Sequence, residues 1–91
     1  MELVPGRTLS IHYFAWVREH VGTAREELAV PEHVTTVGAL IDHLRARGER
    51  YERAFARPEI IRVAIDRIHS KLDASLTGAR EIAFFPPVTG G

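Results

Sequence analysis

The sequence contains no cysteine among its 91 residues. This absence excludes disulfide bonds, thiolate metal sites and a cysteine nucleophile, so any sulfur chemistry must use sulfur brought from elsewhere. It also fits a reducing compartment, and we expect a cytoplasmic protein.

Net charge and long apolar runs are lacking as well. Twelve basic and twelve acidic residues give a formal net charge of zero, which argues against a broad electrostatic footprint for nucleic acid or an anionic membrane. No apolar run approaches the length of a membrane span. The opening MELVPGR has neither a long apolar core nor a small-residue cleavage site, so we interpret residues 1–7 as a disordered lead-in and not a secretory signal. We therefore expect one soluble domain over residues 8–85, with no nucleic acid and no membrane as partners.

Motifs for catalysis and metal binding are absent too. The chain has no glycine-rich phosphate loop, nucleophile elbow or calcium loop. Five histidines lie apart, without a pair at ligand spacing, so we predict no metal site: His12, His20, His33, His43 and His69. The acidic residues of the ERYERAFAR stretch favour a solvated helix face over an RNA site. We predict no bound cofactor and no catalytic centre that works alone.

Alternating patterns predict the strands. Residues 9–15 form the first strand, with Leu9, Ile11 and Tyr13 on the core face and Ser10, His12 and Phe14 on the other. Residues 26–30 form a second strand, antiparallel to the first. Further strands are predicted over residues 61–65 and 81–85, with a turn at Asp66-Arg67 that leads into a short extended piece around Ile68 and Leu72.

Helical spacing predicts one long helix. Apolar residues recur at i, i+3, i+4 and i+7, namely Val37, Leu40, Ile41 and Leu44. Thr35 or Thr36 is placed as the N-cap and Gly48 as the C-terminal cap. Shorter helical pieces are predicted over residues 16–22, with Trp16, Val17 and His20 on one face and Gly22 at the end, and over residues 49–55.

Together these elements predict an α+β fold in which one main helix crosses a mixed β-sheet. The helix between the second and third strands acts as the crossover, so the first and last strands can pair in parallel at the centre. The last strand would then lead directly into the C-terminal residues.

Those C-terminal residues, FFPPVTGG, read as a functional tail over residues 86–91. Pro86 and Pro87 end strand pairing and favour an extended exit. Val88 and Thr89 are stiff, whereas Gly90 and Gly91 narrow the chain to bare backbone. Fully extended, the six residues reach roughly 20 Å, enough to enter a partner's active site. The alternative is a glycine-rich end without a role.

Two aromatic residues are placed to meet such a partner. Phe14 lies off the core face by strand parity, and Phe85 is the last strand residue before the tail. We interpret them, together with Arg18, as partner-docking residues, the alternative being that either ring belongs to the core.

Several segments resemble the small, sulfur-carrying subunit of molybdopterin synthase, a ubiquitin-like β-grasp family. They are YFAWVREHVG, TTVGALIDHL, VAID and, most specifically, EIAFFPPVTGG. The chain departs from the family at two turns: Asp66 stands where an asparagine is usual, and Gly78-Ala79-Arg80 replaces an Asp-Gly-Asp turn. Thiamin-pathway sulfur carriers share the fold and the Gly-Gly end but lack the Phe-Pro-Pro lead-in.

The resemblance implies a specific chemistry for Gly91. Its carboxylate would be adenylated with ATP by a ubiquitin-activating-like adenylyltransferase and converted to a thiocarboxylate with sulfur from a persulfide donor. The loaded tail would enter the large subunit of molybdopterin synthase, expected as a heterotetramer, and pass sulfur to cyclic pyranopterin monophosphate. The alternatives are a ubiquitin-like modifier, attached to lysines of target proteins, or a carrier for thiamin synthesis or tRNA thiolation.

Overall fold

The computed structural model describes residues 7–87. The elements are, in chain order, β1 (Arg7–Tyr13), α1 (Ala15–Val21), β2 (Arg25–Val30), α2 (Val37–Arg45), α3 (Glu49–Ala54), a 3-10 turn (Pro58–Ile60), β3 (Arg62–Ile65), β4 (Ile68–Ser70) and β5 (Glu81–Phe85). β1 thus begins at Arg7, and the other residues of the predicted lead-in lie outside the described part of the chain.

The five strands form one mixed sheet in the order β2-β1-β5-β3-β4. β1 pairs antiparallel with β2 and parallel with β5, as predicted for the first, second and last strands. β5 therefore lies at the centre, between β1 and β3, and its C-terminal end is held on both sides.

The core lies between one face of this sheet and the helices. Leu9, Ile11 and Tyr13 are buried, which confirms the predicted parity of β1. The predicted stripe of α2 is buried throughout, and the side chain of Thr36 caps the helix by accepting a hydrogen bond from the Ala39 N–H at 3.1 Å. Residues 51, 54 and 55 bury the predicted face of the third helical piece.

Three details differ from the sequence predictions. Ala15 is not a strand residue: it starts α1 with a φ of 54°, and Phe14 precedes it as the N-cap. The buried residues of α1 are Val17 and Val21, whereas His20 is exposed. Gly48 does not cap α2, whose C-cap is Ala46, but is the N-cap residue of α3. Contacts with α3 and β5, which local spacing cannot reveal, decide which side of α1 is covered, and the start of α3 decides the role of Gly48.

A polar cluster links β1, β2 and the α2–α3 region. The carboxylate of Glu26 accepts hydrogen bonds from the Tyr13 hydroxyl at 2.7 Å, the Tyr51 hydroxyl at 2.9 Å and the Arg47 guanidinium at 3.1 Å. The Arg47 guanidinium also lies 4.9 Å from the centre of the Tyr51 ring. We call these four residues the Glu26 cluster.

The cluster shifts the acidity of its members. Burial alone would raise the pKa of Glu26, but the hydrogen bonds from Tyr13, Tyr51 and Arg47 outweigh it and hold that pKa below its usual value. Burial, followed by the hydrogen bond to Glu26, raises the pKa of Tyr13 and of Tyr51. The cluster is therefore an ionised carboxylate with neutral phenols at neutral pH.

Among residues 7–87, no helix is long and apolar enough to cross a membrane.

We predict that Glu26→Gln lowers the free energy of unfolding at pH 7 by about 1.5–3 kcal/mol, because hydrogen bonds to a charged acceptor are replaced by weaker ones. A carboxyl whose pKa is depressed on folding stabilises the protein above its unfolded pKa, and this contribution is lost as the pH falls through the folded value. The gap between wild type and variant should therefore shrink in acid. Urea unfolding at a series of pH values measures it.

Glu27→Gln is the matched control, because Glu27 is exposed on the same strand and pairs only with exposed Arg25. An exposed pair of this kind contributes little. Equal losses for the two variants, or a Glu26→Gln gap that does not change with pH, would contradict the role of the Glu26 cluster.

Candidate functional site

The candidate site lies where the two central strands end. β1 and β5 run parallel with Tyr13 opposite Phe84, so both strands finish at the same end of the sheet. The Phe14 N–H extends the pairing by donating to the Phe84 carbonyl at 3.0 Å. Phe14 and Phe85 are therefore the next residues of two neighbouring strands, at the point from which the C-terminal residues leave.

The aromatic side chains of this region divide between the two faces of the sheet. Phe84 is fully buried with Tyr13 on the helix side, whereas Phe14 is 48% exposed. By strand parity Phe14 and Phe85 belong to the opposite face, which we call the open face because the helices pack against the other one. The prediction that Phe14 lies outside the core is confirmed.

Phe85 is half-buried and packs against a neighbouring ring. Its ring meets the ring of His69 edge to face, with 5.4 Å between centroids. His69 pairs with Ala64 on β3, and Ala64 pairs with Ala83 on β5, so the two rings meet on the same face of β3 as the buried Ala64. Near the tail the open face thus carries aromatic rings, the small side chains of Ala64 and Ala83, and exposed Arg62 opposite Phe85.

A serine and a histidine also lie on the open face. Ser10 Oγ and His12 Nε2 are 3.1 Å apart, and both residues are half-buried. Sequence reasoning assigned no role to this pair. Ser10 and His12 are two residues apart on β1, and residues at this spacing share a face of the sheet, so the sequence alone could have predicted their contact.

The base of the tail rests on a small aromatic core. Phe84 stacks on Tyr13 with 6.4 Å between centroids and meets Phe55 edge to face at 5.0 Å. Tyr13 is in turn held by Glu26 through its hydroxyl. The Glu26 cluster and the tail base are therefore connected through two rings, which fixes the end of β5 in place.

Arg18 lies one helical turn beyond Phe14. Its backbone N–H donates to the Phe14 carbonyl at 3.4 Å, and the residue is exposed. The structure thus brings Arg18 close to Phe14 along the chain, and its docking role stays a prediction.

The two turns that depart from the family pattern keep a defined geometry. Asp66 and Arg67 have φ values of 49° and 73°, as the tight β3–β4 turn requires. One carboxylate oxygen of Asp66 accepts hydrogen bonds from the N–H groups of Arg80 at 3.0 Å and Glu81 at 2.8 Å. Gly78 adopts a φ of 76° in the second turn. An acceptor at position 66 therefore ties both turns to the start of β5.

Only the first residues of the predicted tail are described. Pro86 and Pro87 are half-buried and follow β5 without strand pairing. Val88, Thr89, Gly90 and Gly91 lie outside the described residues. Within residues 7–87, no group of three or more histidine, aspartate or glutamate side chains could hold a metal ion.

Comparison with known proteins gives consistent matches in sequence. The ThiS family matches residues 11–91. The chain is 39% identical to the molybdopterin synthase sulfur carrier subunit of Escherichia coli, over 91% of this chain and 99% of that protein. It is 33% identical to the subunit of the same name from Mycobacterium tuberculosis, over 91% of this chain and 96% of that protein.

Solved structures agree on the fold. Small archaeal modifier protein 1 of Haloferax volcanii superposes with a TM-score of 0.67 at 23% identity, over 91% of this chain and 100% of that chain. A protein from Pyrococcus furiosus superposes with a TM-score of 0.70 at 22% identity, over 91% and 100% of the two chains. The predicted ubiquitin-like β-grasp fold is confirmed.

Proposed function

The chain belongs to the ThiS family, and from that premise we propose that it is a sulfur carrier of molybdenum cofactor biosynthesis. The observation that carries the proposal is the end of the sequence, FFPPVTGG, whose first two residues close a central strand that is paired on both sides. The relatives named as molybdopterin synthase sulfur carrier subunits support it over nearly their whole length.

The reactive group in this proposal is the carboxylate of Gly91. A terminal carboxylate is ionised at neutral pH and is a poor electrophile. A ubiquitin-activating-like adenylyltransferase uses ATP to form an acyl-adenylate, which removes the charge and supplies a good leaving group. The terminal sulfur of a persulfide donor then displaces AMP to give an acyl disulfide. A thiol attacks the donor's sulfur in that acyl disulfide, so a new disulfide forms and Gly91 is released as a thiocarboxylate. Glycine leaves this carbonyl unhindered, and the chain itself binds no cofactor.

The second step takes place in the large subunit of molybdopterin synthase. The tail, Pro86 to Gly91, enters that subunit and transfers sulfur to cyclic pyranopterin monophosphate. Two such transfers build the dithiolene that later holds molybdenum, in a heterotetramer with two carriers. The carrier supplies sulfur, and its partner supplies the catalytic acids and bases. Since ATP and reduced sulfur are cytoplasmic reactants, we infer the same location for the chain.

The open face is the proposed docking surface. Phe14 is exposed beside the tail base, the Phe85 ring contacts His69, and the small side chains of Ala83 and Ala64 lie next to them on the same face. A partner that accepts the tail must pass close to these side chains. Arg18, one turn away on α1, offers a cation at the edge of the contact.

A ubiquitin-like modifier is the second candidate, favoured by the shared fold of the Haloferax modifier protein. It would use the same activation of Gly91 but transfer the acyl group to a lysine of a target. Carriers for thiamin synthesis or tRNA thiolation use the same chemistry with another acceptor.

We predict that deletion of Gly91, or extension of the chain beyond it, abolishes sulfur loading but leaves folding intact, because residues 7–85 contain the sheet and its core. Thiocarboxylation with the activating partner, ATP and a sulfur donor is measured by mass spectrometry, and circular dichroism reports the fold. Normal loading of the shortened chain would contradict the carrier proposal.

We predict that Phe14→Ala weakens binding to the large subunit by about 2 kcal/mol or more, roughly thirtyfold, because buried aromatic anchors dominate interfaces. The melting temperature should change little, since Phe14 is 48% exposed. Calorimetric titration measures the affinity.

Ile68→Ala is the matched control, because Ile68 is a large apolar residue, 69% exposed, at the opposite end of the sheet. The affinity of the Ile68→Ala variant for the large subunit should stay unchanged. A sharp loss of melting temperature in Phe14→Ala, or equal affinities for the two variants, would place the interface elsewhere.

A further inference from the structure

The basic residues of the chain are almost all arginine. Of the twelve, eleven are arginine and one, Lys71, is lysine. Arginine stays protonated in proteins and does not attack acyl groups, whereas the neutral amine of lysine does. Lys71 is therefore the one side-chain amine of the sequence, and the one side chain that an activated Gly91 could acylate at nitrogen to a stable amide.

Lys71 is exposed and borders a groove of about 310 Å³. The groove is lined by Glu59, Ile61, Arg62, Val63, Ser70, Lys71 and Leu72. Its apolar part is formed by nearly buried Ile61 and Val63 together with Leu72, which is 37% exposed. Two cations, an acid and a hydroxyl surround that apolar part.

The groove opens at the end of the sheet from which the tail leaves. Ser70, which precedes Lys71, pairs with Val63, and Arg62 pairs with Phe85 at the base of the tail. Lys71 is thus about two strand spacings from β5, roughly 10 Å. Tail and groove share one end of the molecule.

The last four residues suit this groove in shape and charge. Val88 is a small apolar side chain for the surface of Ile61 and Val63, and Gly90-Gly91 is narrow enough to bring its carbonyl to an amine at the rim. Before activation the terminal carboxylate is complementary to Arg62 and Lys71, and in the acyl-adenylate the phosphate provides a negative charge for Arg62. Neither cation forms an ion pair with another residue between 7 and 87.

The geometry favours the tail of a second copy over the chain's own. To enter its own groove the tail would have to turn sideways across β3 at the end of β5. Pro86 and Pro87 instead favour an extended backbone that continues away from the strand. Two copies that meet end to end have no such difficulty. Because tail and groove lie at the same end, each copy can present its tail to the other's groove, which is the self-complementary contact of a two-fold dimer.

We propose that the groove binds the C-terminal residues of a second copy and that Lys71 is the acceptor for its activated carboxyl group. The covalent step rests on the proposed function, which supplies the acyl-adenylate. Neutral Nζ of Lys71 attacks the Gly91 carbonyl carbon, a C–N bond forms, the C–O bond to the phosphate breaks, AMP leaves and the nitrogen loses one proton to water. The product is two chains joined by a Lys71–Gly91 isopeptide bond.

The test uses the full chain bearing a thioester at Gly91, mixed with an unmodified copy. Here the same attack breaks the C–S bond and releases a thiol, so neither ATP nor the activating partner is needed. We expect a two-chain product whose junction peptide contains Lys71 and Gly91, identified by mass spectrometry. Lys71→Arg should abolish it.

A relocated lysine distinguishes the groove from simple exposure. The double variant Lys71→Arg/Arg67→Lys carries its amine on the exposed β3–β4 turn, at the other end of the hairpin. At micromolar protein concentration the double variant should form the joined product at least about tenfold more slowly than wild type. Its amine lacks the higher effective concentration that groove binding provides.

Four outcomes would overturn the proposal: equal rates for the two lysine positions, no joined product, a product closed within a single chain, or acylation confined to the N-terminal amine. Since the thioester is made without the activating partner, any of these leaves the carrier proposal standing. Conversely, if the chain cannot be thiocarboxylated, the thioester experiment still shows whether Lys71 is acylated. Lys71→Arg should be thiocarboxylated as well as wild type.

Discussion

The parallel pairing of β1 with β5 at the centre of the sheet is the constraint on which the rest of the structure depends. It sets Tyr13 against Phe84 on one face and brings Phe14 and Phe85 to the same end on the other. Parallel strands need a crossover, and α2 provides it over the buried face. Without that pairing, the C-terminal residues would leave from a loose edge instead of a strand held on both sides.

The Glu26 cluster extends this constraint into the helical layer. A single carboxylate joins two tyrosine hydroxyls and an arginine from β1, α3 and the α2–α3 connection. Through Tyr13 it supports the ring of Phe84, one residue before Phe85. A small domain without disulfides thus gains a rigid platform at the point where its proposed chemistry begins.

Local patterns predicted much of this fold, and the reasons are visible in particular residues. The alternation of Leu9, Ile11 and Tyr13 and the stripe of α2 are properties of one element each, and both were confirmed. Gly48 was misassigned because a glycine after a helix is usually its cap, and a second helix begins directly after it. The acceptor role of Glu26, the contact of His69 with Phe85 and the groove beside Lys71 depend on strand register and could not be predicted from spacing.

Intact mass of the protein isolated from its own cells tests the central claim most directly. The account predicts a fraction heavier by the difference between one sulfur and one oxygen atom, with the change confined to the peptide that ends in Gly91, and its loss when the activating partner is absent. A terminus found only as the carboxylate, or only joined through Gly91 to lysines of other proteins, would contradict the sulfur-carrier account.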